Sequence, residues 1–407
     1  MTGESRIIIH KPSTMKILVI NHEYPPVGGG GGVFCKDLCE AWVKDGHQVF
    51  VVTSKATGLK KKDKINGVDI NRCWAGGRKD RQKANFINLL IFTLTGFFLS
   101  WRLLVKYRFD FLNVHFAVPA GLIGYWLQVF SGCKNILTVH GADIYDPTRK
   151  MSGHRWWLTR WAISRIINKA TYTVASTQEI EGKIKKYYHL RKKVSLIPLG
   201  FSPTDYFKKA EKVYYNDDVD DSPNKESLRL ITIGRLVARK NLELLINAVA
   251  VLKGKVKLTI IGDGPQRKEL EDKVKSLELA EVVKFLGQVS EKEKARQLLK
   301  ADLFVSSALH EGFGIVFLEA MQAGLGIVAA DCGGQTYFLK SEENARFFKS
   351  SSKEDLIDKI NYFCENRKAL EKYGKANIRL VPKFYIGRIA KEYLELVETG
   401  NFVKVKT

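Results

Sequence analysis

Apolar residues recur along this chain in short unbroken runs. Each run is followed by a longer stretch in which they return every three or four positions. The runs at 16–20 (KILVI), 48–53, 111–116, 136–139, 172–176 and 194–199 read as strands buried on both faces, the pattern of a parallel sheet. The stretches between them, such as the one carrying Leu38, Ala41, Trp42 and Val43, read as helices. A second series opens at 228–234 (LRLITIG) and continues through 257–261, 282–287, 303–306 and 326–330. Strands alternating with helices in this way build doubly wound α/β sheets, and two series predict two domains. Between them, 208–227 is rich in Lys, Asp, Asn and Ser, has no hydrophobic period and reads as a linker. The expected division is an extension at 1–14, a first domain at 15–207, the linker at 208–227, a second domain at 228–381 and a terminal segment at 382–407. That last segment carries an amphipathic helix expected over 384–397.

Two stretches stand apart. The most apolar, 86–101 (FINLLIFTLTGFFLSW), is shorter than the roughly 20 residues a membrane span needs. On one helix, Phe92, Leu94, Phe97, Phe98 and Leu99 cannot all face a core. Arg78, Lys79, Arg81 and Lys83 precede it, and Arg102, Lys106 and Arg108 follow. The expectation is a helix packed on the sheet, its surplus aromatic face resting on anionic lipid. The second stretch, 151–168, reads as a helix setting Trp156, Trp157 and Trp161 beside Arg155, Arg160 and Arg165. It suits a lipid headgroup layer and a packed domain interface equally.

Charge sharpens this picture. Lys and Arg number 66 against 43 Asp and Glu, a net charge of +23 over 407 residues. Such a balance implies an anionic partner: a membrane surface, a nucleic acid or a phosphorylated substrate. No recognised nucleic-acid-binding module is present, so nucleic acid is not expected. Cys35, Cys39, Cys73, Cys133, Cys332 and Cys364 form no C-x-x-C pair and no metal spacing, which fits neutral buried thiols in a reducing cytoplasm. No secretory signal is evident before the fresh start at Met15, so the expected location is cytoplasmic and peripheral on the membrane face.

The candidate chemistry centres on 305–322 (VSSALHEGFGIVFLEAMQ). A strand leads into the turn Glu311-Gly312-Phe313-Gly314, and a helix opens near Ile315. The glycines let backbone approach a ligand closely, and the helix start leaves N–H groups and partial positive charge for an anion. Glu311 and Glu319 add acceptors for hydroxyl groups, so the segment suits a nucleotide sugar. After the strand at 228–234, Arg235 and Lys240 precede another helix, a diphosphate clamp of fork and point charge. His140 sits at the carboxyl end of a strand, where doubly wound sheets bind ligands. The glycine run at 28–32 is not a dinucleotide fingerprint: Val33 occupies the third glycine position, and Thr53-Ser54-Lys55 supplies no acid.

In order along the chain, Pro25-Pro26 with the glycine run, Thr138-Val139-His140-Gly141-Ala142-Asp143, Gly234-Arg235-Leu236-Val237 with Arg239-Lys240-Asn241, Gly262-Asp263-Gly264-Pro265 and the Glu311/Glu319 pair resemble the retaining glycosyltransferases of family 4. The resemblance covers nearly the whole chain. It implies the GT-B fold, two Rossmann-like doubly wound domains facing across a deep interdomain cleft, with the last helix crossing back to the first domain. It implies catalytic roles for Arg235, Lys240, Glu311 and His140. It puts Gly29, Gly30, Gly234, Gly262, Gly287, Gly312, Phe313, Gly314 and Glu319 at the donor, and Asp143 and His115 on the acceptor side. Leu199, Gly326 and Thr336-Tyr337 depart from the family pattern, and no contact is assigned there.

The resemblance implies hexosyl transfer with retention from a UDP-, GDP- or ADP-sugar. The basic charge and the 86–101 stretch point to a lipid-linked or membrane-borne glycan as acceptor, with a soluble acceptor as the alternative. With no supported Asp-x-Asp pair, neither metal nor cofactor is expected. A nucleotide-sugar epimerase on the same fold is the alternative, and a basic nucleic-acid-binding protein the less favoured one.

Overall fold

The computed structural model describes residues 14–80, 84–146, 152–207 and 227–403, so the 1–13 leader, Arg81, Lys83, Met151 and 208–226 of the linker lie outside the described residues. The chain forms two compact units, Met1–His115 with Pro119–Ile136, and Phe116–Val118 with Leu137–Thr407.

The first sheet is built from β1 (Lys16–Ile20), β2 (Gln48–Lys55), β3 (Lys62–Ile65), β4 (Val68–Trp74), β5 (Phe111–His115), β6 (Asn135–Val139), β7 (Tyr172–Ala175) and β8 (Ser195–Leu196). They run in the order β3-β4-β2-β1-β5-β6-β7-β8. β1 pairs in parallel with β2 and β5, and β2 with β4, while β3 and β4 form an antiparallel hairpin. Ile17, Leu18, Val19 and Ile20 are wholly buried, which is why β1 reads as an unbroken apolar run.

Unit 1 adds α1 (Gly30–Lys44), α2 (Phe86–Lys106) and α3 (Ala120–Ser131). α2 corrects the sequence expectation. It has 21 residues rather than ending at Trp101, about 31 Å at the helical rise, long and apolar enough by length and composition to cross a membrane. It is nevertheless seated on its own unit. Asn88, Phe92, Gly96, Ser100 and Leu103 return every three or four residues as one buried stripe. Asn88 Nδ2 donates to the Ala75 carbonyl at 2.8 Å, and Thr95 Oγ1 to that of Trp74 at 2.7 Å. A side chain at Gly96 would begin 2.9 Å from Ile123 of α3, so the glycine lets the two helices approach.

In unit 2, α4 (Trp157–Lys169) starts later than the expected 151, because the chain first turns through 153–155. Trp157 and Trp161 are exposed, with the Arg165 guanidinium 5.4 Å from the Trp161 ring. α5 (Gln178–Tyr187) follows β7.

The second sheet lies entirely in unit 2. Its strands are β9 (Leu228–Ile233), β10 (Val256–Ile261), β11 (Val283–Gly287), β12 (Leu303–Ser306), β13 (Gly326–Ala330) and β14 (Arg346–Phe348), in the order β11-β10-β9-β12-β13-β14. Every pair is parallel. The helices are α6 (Leu242–Val251), α7 (Arg267–Ser276), α8 (Glu291–Lys300), α9 (Ile315–Gln322), α10 (Lys353–Glu365) and α11 (Arg367–Leu380). Leu230, Leu258, Val305 and Val328 join Leu245, Ile246 and Ile360 in one core. Strand order reverses between β9 and β12, and such sheets bind ligands beyond the carboxyl ends of the strands at that switch point. α12 (Ile386–Thr399) closes the described fold, and the hydroxyls of Tyr393 and Thr138 on β6 share a hydrogen bond of 3.1 Å.

Candidate functional site

The switch point of the second sheet gathers the motif residues. β9 runs out into Gly234, where a side chain would begin 3.2 Å from Lys240 Cε, so the glycine leaves room for the lysine to lie across it. The chain then passes Arg235, makes a short 3-10 turn over Ala238–Lys240, and enters α6 through Asn241 at φ 48°. The segment after β12 is stitched to this one. Ser307 Oγ lies within hydrogen-bond reach of the carbonyls of Lys240 (3.0 Å) and Asn241 (2.9 Å), and Leu309 N donates to Arg239 O at 2.8 Å.

This stitching sets the Lys240 ammonium against Glu311 Oε2, both side chains 13% exposed, with Arg239 Nη1 3.8 Å from Glu311 Oε1. Burial alone would raise the Glu311 carboxyl. Lys240, then Arg239, more than reverse that and hold it below the ordinary carboxylate range. Arg235 forms no ion pair among the described residues, and its buried Nε has no hydrogen-bond partner.

Glu319 projects from α9, and its Oε1 accepts from Lys294 of α8 at 2.9 Å. Lys294 also reaches Glu291 at 2.7 Å. Burial works to lower the Lys294 ammonium, but Glu319 and Glu291 outweigh it and raise it.

The turn between the two glutamates is held by backbone packing. Gly314, at φ 85°, caps α9. A side chain at Gly312 would begin 2.6 Å from the His140 carbonyl, and one at Gly334 would meet the Gly312 carbonyl at 1.9 Å. The Phe313 side chain packs inward: it is 2% exposed, and its ring lies 5.0 Å from Phe338 and 6.2 Å from Phe384, so any part it takes at a donor falls to its backbone amide. Gly262 and Gly287 have a packing reason of their own. Gly262 N donates to Gly287 O at 2.8 Å, and a side chain at 262 would collide with the Gly234 carbonyl.

His140 is buried, with its ring 4.3 Å from that of Phe116. Asp143, half-buried, braces this corner. Its carboxylate accepts from Ala117 N at 2.6 Å and from His140 N at 3.2 Å. Burial pushes the Asp143 carboxyl up to about 6, against the pull of those amides.

Three expected positions belong to unit 1. His115 is wholly buried and edge-on to Phe34 at 5.9 Å, so it is a core residue and not an accessible acceptor contact. Gly29 N donates to Glu23 Oε2 at 3.1 Å, and side chains at Gly29 and Gly30 would meet nothing within 4 Å.

The sequence pattern assigns no role to Lys294, Arg239 or His310. His310, next to Glu311, lies edge-on to Tyr145 at 5.6 Å, with Nδ1 3.9 Å from Glu179. Burial, then Lys183, holds its imidazole below the ordinary value. Among the described residues no three His, Cys, Asp or Glu side chains converge as a metal set.

Comparison with known proteins fits this architecture. Residues 28–205 match the family described as Glycosyltransferase Family 4, and residues 216–379 that described as Glycosyl transferases group 1. The chain belongs to these family-4, group 1 glycosyltransferases and has their two-domain, Rossmann-like GT-B fold. A curated relative is the alpha-monoglucosyldiacylglycerol synthase of Acholeplasma laidlawii, 25% identical over 95% of this chain and 98% of the relative. Among solved structures, sucrose-phosphate synthase from Thermosynechococcus elongatus has a TM-score of 0.80 at 21% identity, covering 95% of this chain and 98% of that one. HepE from Anabaena, in complex with UDP, has a TM-score of 0.73 at 17% identity, covering 95% of this chain and all of that one.

Proposed function

We propose that this glycosyltransferase moves a sugar from a nucleoside-diphosphate sugar to a lipid-linked or membrane-borne glycan, with retention and without a metal ion. The observation that carries the donor reading is the Lys240–Glu311 pair at the switch point of one parallel sheet, with Arg235 and its unsatisfied Nε on the segment that leaves β9. Negative charge grows on the diphosphate as the glycosidic bond breaks. Arg235, with an unsatisfied buried Nε, offers a fork to it, and Lys240 offers an ammonium. Preorganised donors of this kind are each worth roughly 3–4 kcal/mol in a transition state.

In this reading the cations do the work a divalent ion performs elsewhere. Glu319 accepts from ribose hydroxyls. Glu311 and the amides of 312–314, at the N-terminal end of α9, hold the sugar. His140, whose carbonyl abuts Gly312, steadies the sugar from β6. The UDP in HepE supports the donor class, and the name of the Acholeplasma relative supports a lipid acceptor. The net charge of +23 supports work at the cytoplasmic face of an anionic membrane.

The test is release of free nucleoside diphosphate from UDP-, GDP- and ADP-sugars, with and without membrane lipid extract, in EDTA. Turnover of one donor, stimulated by lipid and unaffected by EDTA, is expected, with an α-linked product from an α-donor. Conversion of a donor to its epimer without diphosphate release, or activity only with added Mn²⁺ or Mg²⁺, overturns the reading.

A further inference from the structure

α2 is apolar on both of its long faces. Opposite the stripe that seats it on the sheet, Phe86 (71%), Leu90, Leu94 and Phe98 (69%) stand exposed at helical spacing. α3 extends this face with exposed Trp126, Val129 and Phe130 (59%). The two sets are continuous. Phe97 lies edge-on to Phe98 at 5.6 Å and to Phe130 at 6.2 Å, Trp101 edge-on to Phe130 at 6.3 Å, and Trp126 stacks on Phe130 at 5.6 Å. A contiguous apolar patch left in water is the usual mark of a surface that something covers.

Charge identifies the cover. Between Asp80 and Asp143 the sequence has one acidic residue, Asp110, against Arg81, Lys83, Arg102, Lys106, Arg108 and Lys134. Arg102 continues the exposed Leu90, Leu94, Phe98 spacing by one more turn, and Lys106 lies exposed one turn beyond. Neither helix carries an acid that would repel a phosphate. Apolar and aromatic side chains along the middle, tryptophans at the side and cations at one end form the pattern of helices lying in a lipid headgroup layer.

We propose that the outer faces of α2 and α3 together dock on an anionic bilayer. Phe86, Leu90, Leu94, Phe98 and Phe130 enter the acyl boundary, and Arg102 and Lys106 meet lipid phosphates. The inference rests on the membrane-borne acceptor of the proposed function for its purpose, but docking itself requires no donor. Charged headgroups add about 1 kcal/mol per basic residue near the surface, so binding is sensitive to lipid charge and to salt.

The experiment is flotation of the full-length protein with phosphatidylcholine vesicles, with and without phosphatidylglycerol, at physiological salt. The wild type is expected to float with the mixed vesicles and at least about tenfold less with the neutral ones. Leu94→Glu/Phe98→Glu and, separately, Phe130→Glu are expected to lower the bound fraction by about tenfold or more with an unchanged melting temperature. Arg102→Glu/Lys106→Glu replaces exposed residues and none of the aromatic residues of the patch, and is expected to lose most of the preference for charged lipid. Equal flotation of wild type and all variants, no flotation at all, or a wild-type dimer that these substitutions split into monomers overturns the proposal. Donor turnover without vesicles, measured in parallel, separates the two readings. Lost docking with intact turnover sinks only this inference, and docking without turnover sinks only the transferase chemistry.

Discussion

Lys240 and Glu311, 71 residues apart in sequence, form an ion pair across the switch point of the second sheet. Each is nearly enclosed, so each is the other's main compensation for leaving water. Arg235, whose buried Nε has no hydrogen-bond partner, follows the end of β9 in the same segment.

Lys240→Ala is expected to lower kcat by about 10²–10³ through loss of one preorganised cation. Steady-state kinetics with the preferred donor checks it, alongside a circular dichroism spectrum that stays native. A variant within a few-fold of wild type would remove Lys240 from the mechanism.

The same pair has a signature in stability. Lys240→Met leaves Glu311 with only Arg239 nearby and should cost about 3 kcal/mol, the low end for breaking a buried pair. Adding Glu311→Gln removes the stranded charge, so the double variant should be more stable to urea than Lys240→Met alone. Additive losses would mean that the two side chains do not compensate each other.

Lys294 orients Glu319 through Oε1 and has no place in the diphosphate clamp. Lys294→Met should therefore raise the donor KM several-fold while changing kcat little, as expected when uniform binding is lost. Lys294→Arg should recover much of the affinity. A fall in kcat at constant KM would instead assign Lys294 to the reacting centre.

One buried and one half-buried group give opposite pH slopes. Burial first, then Arg78, holds His22 at about 4 in the fold against the pull of Glu23, so the unfolded chain binds its proton first. The His22 contribution is therefore complete above about pH 6.5 and lost as pH falls toward 4, with a limiting slope of about 1.4 kcal/mol per unit. Asp143, raised to about 6, has the other sign: its contribution is present below about pH 4 and is lost as pH rises through 6. Melting temperatures from about pH 4 to 7 should show a smaller acid-side fall for His22→Gln, and a smaller loss toward neutrality for Asp143→Asn. Parallel profiles for wild type and either variant would remove that residue from the pH dependence.

The two sheets were legible because strands buried on both faces write themselves as unbroken apolar runs, as 16–20 and 228–233 do. The switch-point residues were legible because Arg235, Lys240 and Glu311 each follow such a run within a few positions. The β3–β4 hairpin went unread although Asn66 and Gly67 turn it with φ of 49° and 83°, the Asn-Gly signal of a tight reversal. α2 was cut at Trp101 because Arg102 interrupts its run, yet Leu103 continues the buried stripe. Lys294 and Glu319 lie 25 positions apart on two different helices, and no local spacing carries their pairing. Phe313 and His115 show the limit of residue type: each stands in or beside a motif, but its side chain packs into a core.

Arg239 gives the Lys240–Glu311 pair a reserve partner. Its guanidinium waits 3.8 Å from the carboxylate oxygen that Lys240 does not hold. A phosphate that draws the ammonium away thus leaves Glu311 with a second cation already in attendance. The exchange is a change of dancing partners, in which no charge is left standing alone on a dry floor.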